Sequence, residues 1–148
     1  EVYNFSTDKT SGNRIAPNKR MRTSISPTVV LRDGVPFLTI GTPGATRIVP
    51  TMAQLLTNII DFNMGLQEAI NAPRFFVREG SDAFEYESRM PSSVLEDLKN
   101  MGYPIDGKSM RGEYDLYFGG AQGVMVDPVT GELVGAADPR RDGAAAGY

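Results

Sequence analysis

Apolar and β-branched residues run unbroken through residues 28–32 (TVVLR), and a second apolar run occupies residues 35–40 (VPFLTI). Asp33-Gly34 separates them, the dipeptide best suited to a tight reversal between strands. The pattern predicts a β-hairpin, with Pro36 marking an edge position or a bulge near the turn. Further on, Met52, Leu55, Leu56, Ile59 and Ile60 recur at helical spacing, and Pro50 suits the first turn of that helix. Asn63 to Gly65 breaks the stripe. A short helix over residues 66–72 then stops before Pro73.

The remaining pattern alternates in the same way. Residues 74–78 (RFFVR) and 83–87 (AFEYE) read as strands around a Glu-Gly-Ser-Asp turn. Pro91 opens another helix, with Ser93 and Glu96 at capping-box spacing. Its buried face is expected to be Val94, Leu95, Leu98 and Met101, and Gly102 ends it. Residues 121–126 and 132–136 form a last hairpin around residues 128–131, and the tail runs through Asp138-Pro-Arg-Arg to Tyr148. Residues 6–26 show neither period and read as a loop. Its cations Lys9, Arg14, Lys19, Arg20 and Arg22, opposed by Asp8, fit a solvated surface with a few ion pairs. Strands interleaved with helices predict an α+β layered fold.

Composition narrows the chemistry. The chain has 148 residues, with a formal net charge of −3. That near-balance argues against nucleic-acid binding, and no apolar run approaches the ~20 residues that span a bilayer. The opening Glu1-Val2-Tyr3-Asn4 lacks the charged-then-apolar pattern of a signal peptide. With Met absent from position 1, the natural start is expected upstream. Cys 0 excludes thiol nucleophiles and zinc–thiolate sites within these residues, and His 0 excludes imidazole bases and ligands. Any catalysis served by this chain needs another base.

Few local motifs carry chemistry alone. GTPGATR (residues 41–47) lies between a strand and a helix, where backbone N–H groups can face an anion or an oxyanion. It lacks the P-loop pattern, and a structural turn is the simpler local reading. Glu85 and Glu87 share one face of a strand, expected to be solvated. Asp127, Glu132 and Asp138 near the last hairpin suggest a hard cation, but no loop has EF-hand order. Met52, Met64, Met101 and Met125 read as core filler.

Longer stretches are more specific. PNKRMRTSISPTVV (residues 17–30), GTPGATRI (41–48), NAPRF (71–75), GGAQGVMVD (119–127) and GAADPRRDGAAAGY (135–148) together resemble the γ-glutamyltransferase family, in order and along nearly the whole chain. The resemblance is to the C-terminal part of the family's small subunit. It implies an N-terminal-nucleophile hydrolase, a four-layer αββα sandwich of which these residues form a part. Residues 1–26 are expected to serve as a lid and substrate loop, and residues 27–148 as sandwich core. In the family a precursor cuts itself, and the new N-terminal Thr attacks the substrate carbonyl with its own α-amine as base. No histidine is needed. No Thr here matches the nucleophile motif, so the nucleophile is expected upstream of Glu1.

The resemblance also assigns residues. The family's paired glycines that supply oxyanion N–H groups correspond to Gly44-Ala45, where the methyl of Ala45 narrows the space beside the donors. The Ser-Ser pair that binds the substrate α-carboxylate corresponds to Thr23-Ser24. The acidic pair that holds the α-ammonium corresponds to Glu1 and Asn4, with Asn in place of Asp. Losing that charge weakens ammonium recognition and favours acyl groups such as glutaryl. Asn4 with Ala45 is similar to the cephalosporin-acylase branch, and the segment between Phe5 and Pro17 is short for the family's lid. The resemblance therefore implies hydrolysis, or acyl transfer, of γ-glutamyl or glutaryl amides. Ordinary glutathione hydrolase and transpeptidase activity is the alternative, and a non-catalytic scaffold a further one. It implies a large subunit from the same processed precursor as partner, no cofactor or metal, and no membrane insertion. It favours a periplasmic or secreted compartment and leaves a cytoplasmic one open.

Overall fold

The computed structural model describes residues 5–78, 80, 84–105 and 110–147. A four-stranded antiparallel sheet forms its centre. Strand β1 (Thr28–Arg32) pairs with β2 (Val35–Gly41), β2 with β6 (Gln122–Val126), and β6 with β7 (Leu133–Ala137). The Asp33-Gly34 turn is as expected, with φ of 53° and 82°. The bulge falls at Phe37, because pairing passes from Val30–Leu38 to Leu31–Pro36. Pro36 lies outside the part of β2 that pairs with β6, so its missing N–H costs the ladder nothing there.

One face of this sheet carries the core. Helix α1 (Ile48–Ile60) buries Ile48, Thr51, Met52, Leu55 and Ile59, and helix α2 (Leu66–Asn71) buries Leu66, Ala69 and Ile70. They pack with Leu38, Ile40, Ala121 and Ala136 of the sheet region. Leu38, Leu55 and Leu66 are each 1% exposed, and full burial of such a side chain is worth about 1.5–3 kcal/mol. Ile60 departs from the expected stripe and is exposed, because the core face of α1 runs through Ile48 and Thr51 instead. Glu68 reaches back to the Gly65 N–H at 3.3 Å, which anchors the start of α2. The Gln67 amide exchanges two hydrogen bonds with Ala137 on the edge strand β7.

The opposite face is open. The registered row Val29–Thr39–Val124–Gly135 lies across it, with Val29 63% and Val124 42% exposed. Helices on one side and an open apolar row on the other form a helix layer and a sheet layer of the αββα sandwich.

A smaller sheet joins β3 (Phe75–Val77), β4 (Phe84–Glu87) and β5 (Met110–Arg111), with β5 parallel to β4. Two-residue β5 carries no periodicity and was not anticipated. Gln54 of α1 bonds both the N–H and C=O of Phe75, fixing this sheet to the helix layer. Helix α3 (Ser92–Asn100) corrects three expectations. Pro91 occupies its cap position without a side-chain bond, so the Ser93–Glu96 box does not form. No residue of α3 is fully buried, and Met101 is 73% exposed rather than core filler. Val94 and Leu98 instead border an open apolar cavity of about 400 Å3, with Phe75, Phe84 and Tyr103. Gly102 does end the helix, at φ 88°.

Candidate active site

The loop between β2 and α1 adopts a backbone that its sequence resists. Gly44 has φ 150°, and Ala45 follows at φ 52° in the left-handed region. That conformation costs a non-glycine residue roughly 1–2 kcal/mol. It turns the chain into a 3-10 turn, Ala45–Arg47, which leads directly into α1. Among the described residues, the N–H groups of Gly44 and Ala45 find no hydrogen-bond acceptor. They remain available to an oxyanion.

The segment before β1 lies against this loop. Ser24 Oγ donates to the Ala45 carbonyl at 2.7 Å, and Ser26 Oγ donates to the Ser24 carbonyl at 3.0 Å. Thr23 Oγ1 accepts from the Ile25 N–H at 3.2 Å, and among the described residues its own proton has no acceptor. A cavity of about 750 Å3 is lined by Met21, Thr23, Ser24, Thr42, Gly44 and Ala45, among others. The fold thus brings together four of the six residues singled out in the sequence, Thr23, Ser24, Gly44 and Ala45. Glu1 and Asn4 lie outside the described residues, as does Tyr148.

A second loop supports the first from below. Thr42 Oγ1 donates to the Pro43 carbonyl at 2.9 Å and accepts from the Gly120 N–H at 3.1 Å. Gly119, at φ 99°, packs so closely that a Cβ there would overlap Thr42 Oγ1 and lie 2.8 Å from the Pro43 carbonyl oxygen. Only glycine satisfies both the angle and the space.

Beneath these loops sits a buried charge network that the sequence did not disclose. Glu87 is fully buried, contrary to the solvated face expected for it, and Glu85 is only 5% exposed. Arg140 donates to Glu87 through Nε and Nη2, each at 2.6 Å, and to Asp138 through Nη1 at 3.1 Å. Arg74 pairs with Asp138 at 2.8 Å. Asp138 Oδ2 also accepts the Ala121 N–H at 2.8 Å, at the start of β6. Arg74 Nη1 donates to the Phe118 carbonyl and Arg141 Nε to that of Gly119, which clamps the glycine loop.

The charges in this network balance their burial. Burial opposes the Asp138 carboxylate, but Arg74 and the Arg140 and Ala121 N–H groups outweigh it and hold its carboxyl below the usual range. Burial also opposes Arg140, and Glu87 overcomes it, raising Arg140 above its ordinary value. Burial, then the neighbouring Arg140, pushes Arg74 down to about 10 against the pull of Asp138. Arg74 therefore keeps its charge at neutral pH. Asp138 is committed to arginines, and Asp127 holds the N–H groups of Val129 and Thr130 in the hairpin turn. Among the described residues, Asp127, Glu132 and Asp138 do not come together as a group of three metal-ligating side chains.

The sequence model of the Gamma-glutamyltranspeptidase family matches residues 1–148. The chain belongs to that family. It is 39% identical over 137 residues to the glutathione hydrolase proenzyme of Escherichia coli, a match covering 92% of this chain and 22% of that protein. It is 37% identical over 142 residues to the acylase ACY 1 proenzyme of a Pseudomonas strain, covering 96% of this chain and 24% of that one. The chain thus spans about a quarter of the length of these relatives. Among solved structures, cephalosporin acylase from Bacillus halodurans superposes with a TM-score of 0.83 at 29% identity, over 99% of this chain and 26% of that chain. A Helicobacter pylori gamma-glutamyltranspeptidase mutant gives 0.78 at 33% identity, over 95% of this chain and 78% of its chain. The αββα family fold is thereby shared. Glutathione hydrolases and acylases of the family match almost equally well, so overall identity does not separate the two activities.

Proposed function

We propose that this chain supplies the oxyanion and carboxylate subsites of an amide hydrolase that acts on γ-glutamyl or glutaryl amides, with acylase-like preference. The observation that carries the reading is the convergence of Gly44-Ala45 and Thr23-Ser24 on one cavity, joined by the Ser24–Ala45 hydrogen bond. Residues 1–26 act as substrate loop, and residues 27–148 as the core that holds them.

The chemistry follows from those groups. The hydroxyl of an N-terminal Thr, on a segment preceding Glu1, adds to the amide carbonyl while its own α-amine takes the proton. The carbonyl oxygen becomes an oxyanion, stabilised by the N–H groups of Gly44 and Ala45. The C–N bond breaks, the leaving amine takes the proton, and an acyl-enzyme ester remains. Water, or an acceptor amine, then adds to the ester and releases the acyl group, which regenerates the hydroxyl.

Thr23 and Ser24 hold the substrate's distal carboxylate. Among the described residues the Thr23 proton has no acceptor, whereas Ser24 must turn its hydroxyl away from the Ala45 carbonyl. Substrate binding is thereby coupled to the loop that carries the oxyanion donors. The family resemblance assigns Glu1 and Asn4 to a substrate α-ammonium. A neutral Asn4 contributes about 1 kcal/mol where a carboxylate contributes about 1.5–3. The large subunit of the same precursor covers the open sheet face around Val29 and Val124.

Asn4→Asp in the complete, processed enzyme tests the preference. The kcat/KM ratio of glutamyl to glutaryl substrates is expected to rise at least about fivefold at pH 7–8. An unchanged ratio means that Asn4 only shapes a turn, and the acylase-like assignment fails while the family membership stands.

A further inference from the structure

The cavity between the segment before β1 and the Gly44-Ala45 loop has one charged side chain in its described lining, Arg22. Its other side-chain polar groups are threonine and serine hydroxyls, and no described carboxylate borders it. Arg22 is exposed, and among the described residues its guanidinium has no carboxylate partner and no hydrogen-bond acceptor. The neighbouring cations do not share this place. Lys19 Nζ donates to the Gly12 carbonyl, and Arg20 lies outside the cavity's lining.

The fold keeps Arg22 beside Thr23 and Ser24. Ser24 is tied to the Ala45 carbonyl at 2.7 Å, and consecutive Cα atoms are 3.8 Å apart, so the Arg22 Cα stands at most about 7.6 Å from that of Ser24. The long arginine side chain bridges such a gap. A carboxylate held by two hydroxyls alone keeps its charge unpartnered, and a guanidinium fork supplies the missing charge. The same guanidinium repels a cation. In a γ-glutamyl group the carboxylate and the ammonium share one carbon, so attraction to the first is opposed by repulsion from the second at nearly the same distance. A glutaryl group has the carboxylate alone and takes the attraction undiminished.

We propose that Arg22 determines acyl-group specificity: it pairs with the distal carboxylate that Thr23 and Ser24 hold, and so favours acyl groups whose carboxylate has no ammonium on the same carbon. The inference rests on the amide-hydrolysis reading above. It adds to that reading a residue that selects monoamides of simple dicarboxylic acids, by a route independent of Asn4.

Three anilides of equal acyl length test the proposal in the complete, processed enzyme: glutaryl, γ-glutamyl and uncharged pentanoyl. Arg22→Gln is expected to lower the kcat/KM ratio of glutaryl to pentanoyl by about fivefold or more, mainly through KM, and to lower the ratio of glutaryl to γ-glutamyl as well. Arg22→Lys is expected to retain part of both preferences. The wild-type KM for the glutaryl anilide should rise with added salt, and that of Arg22→Gln should rise less. Arg22 is exposed, so its replacement leaves the fold intact, and the ratios cancel any general loss of active enzyme. Ratios unmoved in Arg22→Gln, or equal losses for all three anilides, overturn the proposal, as does a wild type that turns over the γ-glutamyl anilide but not the glutaryl one. If Thr23→Val with Ser24→Ala moves the glutaryl to pentanoyl ratio and Arg22→Gln does not, the carboxylate subsite stands and the role of Arg22 falls. Hydrolysis of none of the three by wild type refutes instead the amide reading on which the proposal rests.

Discussion

Glu85 and Glu87 sit two residues apart on one face of β4, yet their replacement by glutamine should have very different consequences. Glu87 is 0% exposed and accepts from Arg140 Nε and Nη2 at 2.6 Å, the Arg74 N–H at 3.0 Å and the Asp115 N–H at 3.2 Å. Glutamine keeps the shape but removes the charge and turns an NH2 toward donors. Arg140 then shares Asp138 with Arg74, which leaves an uncompensated charge in the interior. Breaking a buried pair from one side costs about 3–5 kcal/mol. Glu85 faces arginines that are 59% and 30% exposed, where solvent screens the pair. Glu85→Gln should cost about 1 kcal/mol. Urea unfolding of the complete enzyme measures both, and the Glu87→Gln midpoint should fall clearly further. Equal shifts, or a larger one for Glu85→Gln, refute the assignment of Glu87 as the hub of the network.

The other perturbations probe the site and its support. Gly119→Ala should lose about 2 kcal/mol or more of stability and reduce kcat, because the new Cβ meets the Pro43 carbonyl at 2.8 Å at a φ of 99° and displaces the loop carrying Gly44; unfolding midpoints and turnover on one preparation check it. Thr23→Val with Ser24→Ala should raise KM strongly for substrates with the distal carboxylate and leave substrates lacking it much less affected; equal losses mean the hydroxyls hold only structure. Asp138 titrates below its ordinary value in the folded state, so its contribution is fully present above the unfolded pKa of about 3.9 and is lost as pH falls through the folded value. Asp138→Asn should accordingly be less stable than wild type at pH 6, with a gap that narrows below pH 4 in acid unfolding curves.

Legibility in the sequence followed the range of the interactions. The hairpin at Asp33-Gly34, the stripe of α1 and the β6–β7 pair depend on neighbours a few residues away, and local pattern announced them. The capping box at Ser93 failed locally too, because Pro91 took the cap position. Glu87 misled for a different reason. Its partner Arg140 lies 53 residues further along the chain, and nothing in FEYE distinguishes a solvated acid from a buried one. Asp138 likewise looked like a tail residue, although it caps the 3-10 turn Pro139–Arg141 and anchors the start of β6. The site residues were read from family resemblance. The local pattern of GTPGATR left a turn and an oxyanion cradle both open.

The energetics of the Gly44-Ala45 loop connect these two kinds of information. Ala45 at φ 52° is strained, and the family's glycine at that position would not be. Such strain persists only where the surroundings over-determine the conformation. Here they do so from three directions. Ser24 grips the Ala45 carbonyl, the Thr42 hydroxyl ties Pro43 to Gly120, and Gly119 packs against both. The Gly119–Gly120 segment is in turn held by Arg141 and by Arg74 through Phe118, and Arg74 is fixed by Asp138. A buried network of low local legibility thus stabilises a loop whose sequence alone disfavours its shape. Loosening the network should reach the Gly44 and Ala45 N–H groups before it unfolds the chain, because the strained residue is the first to relax.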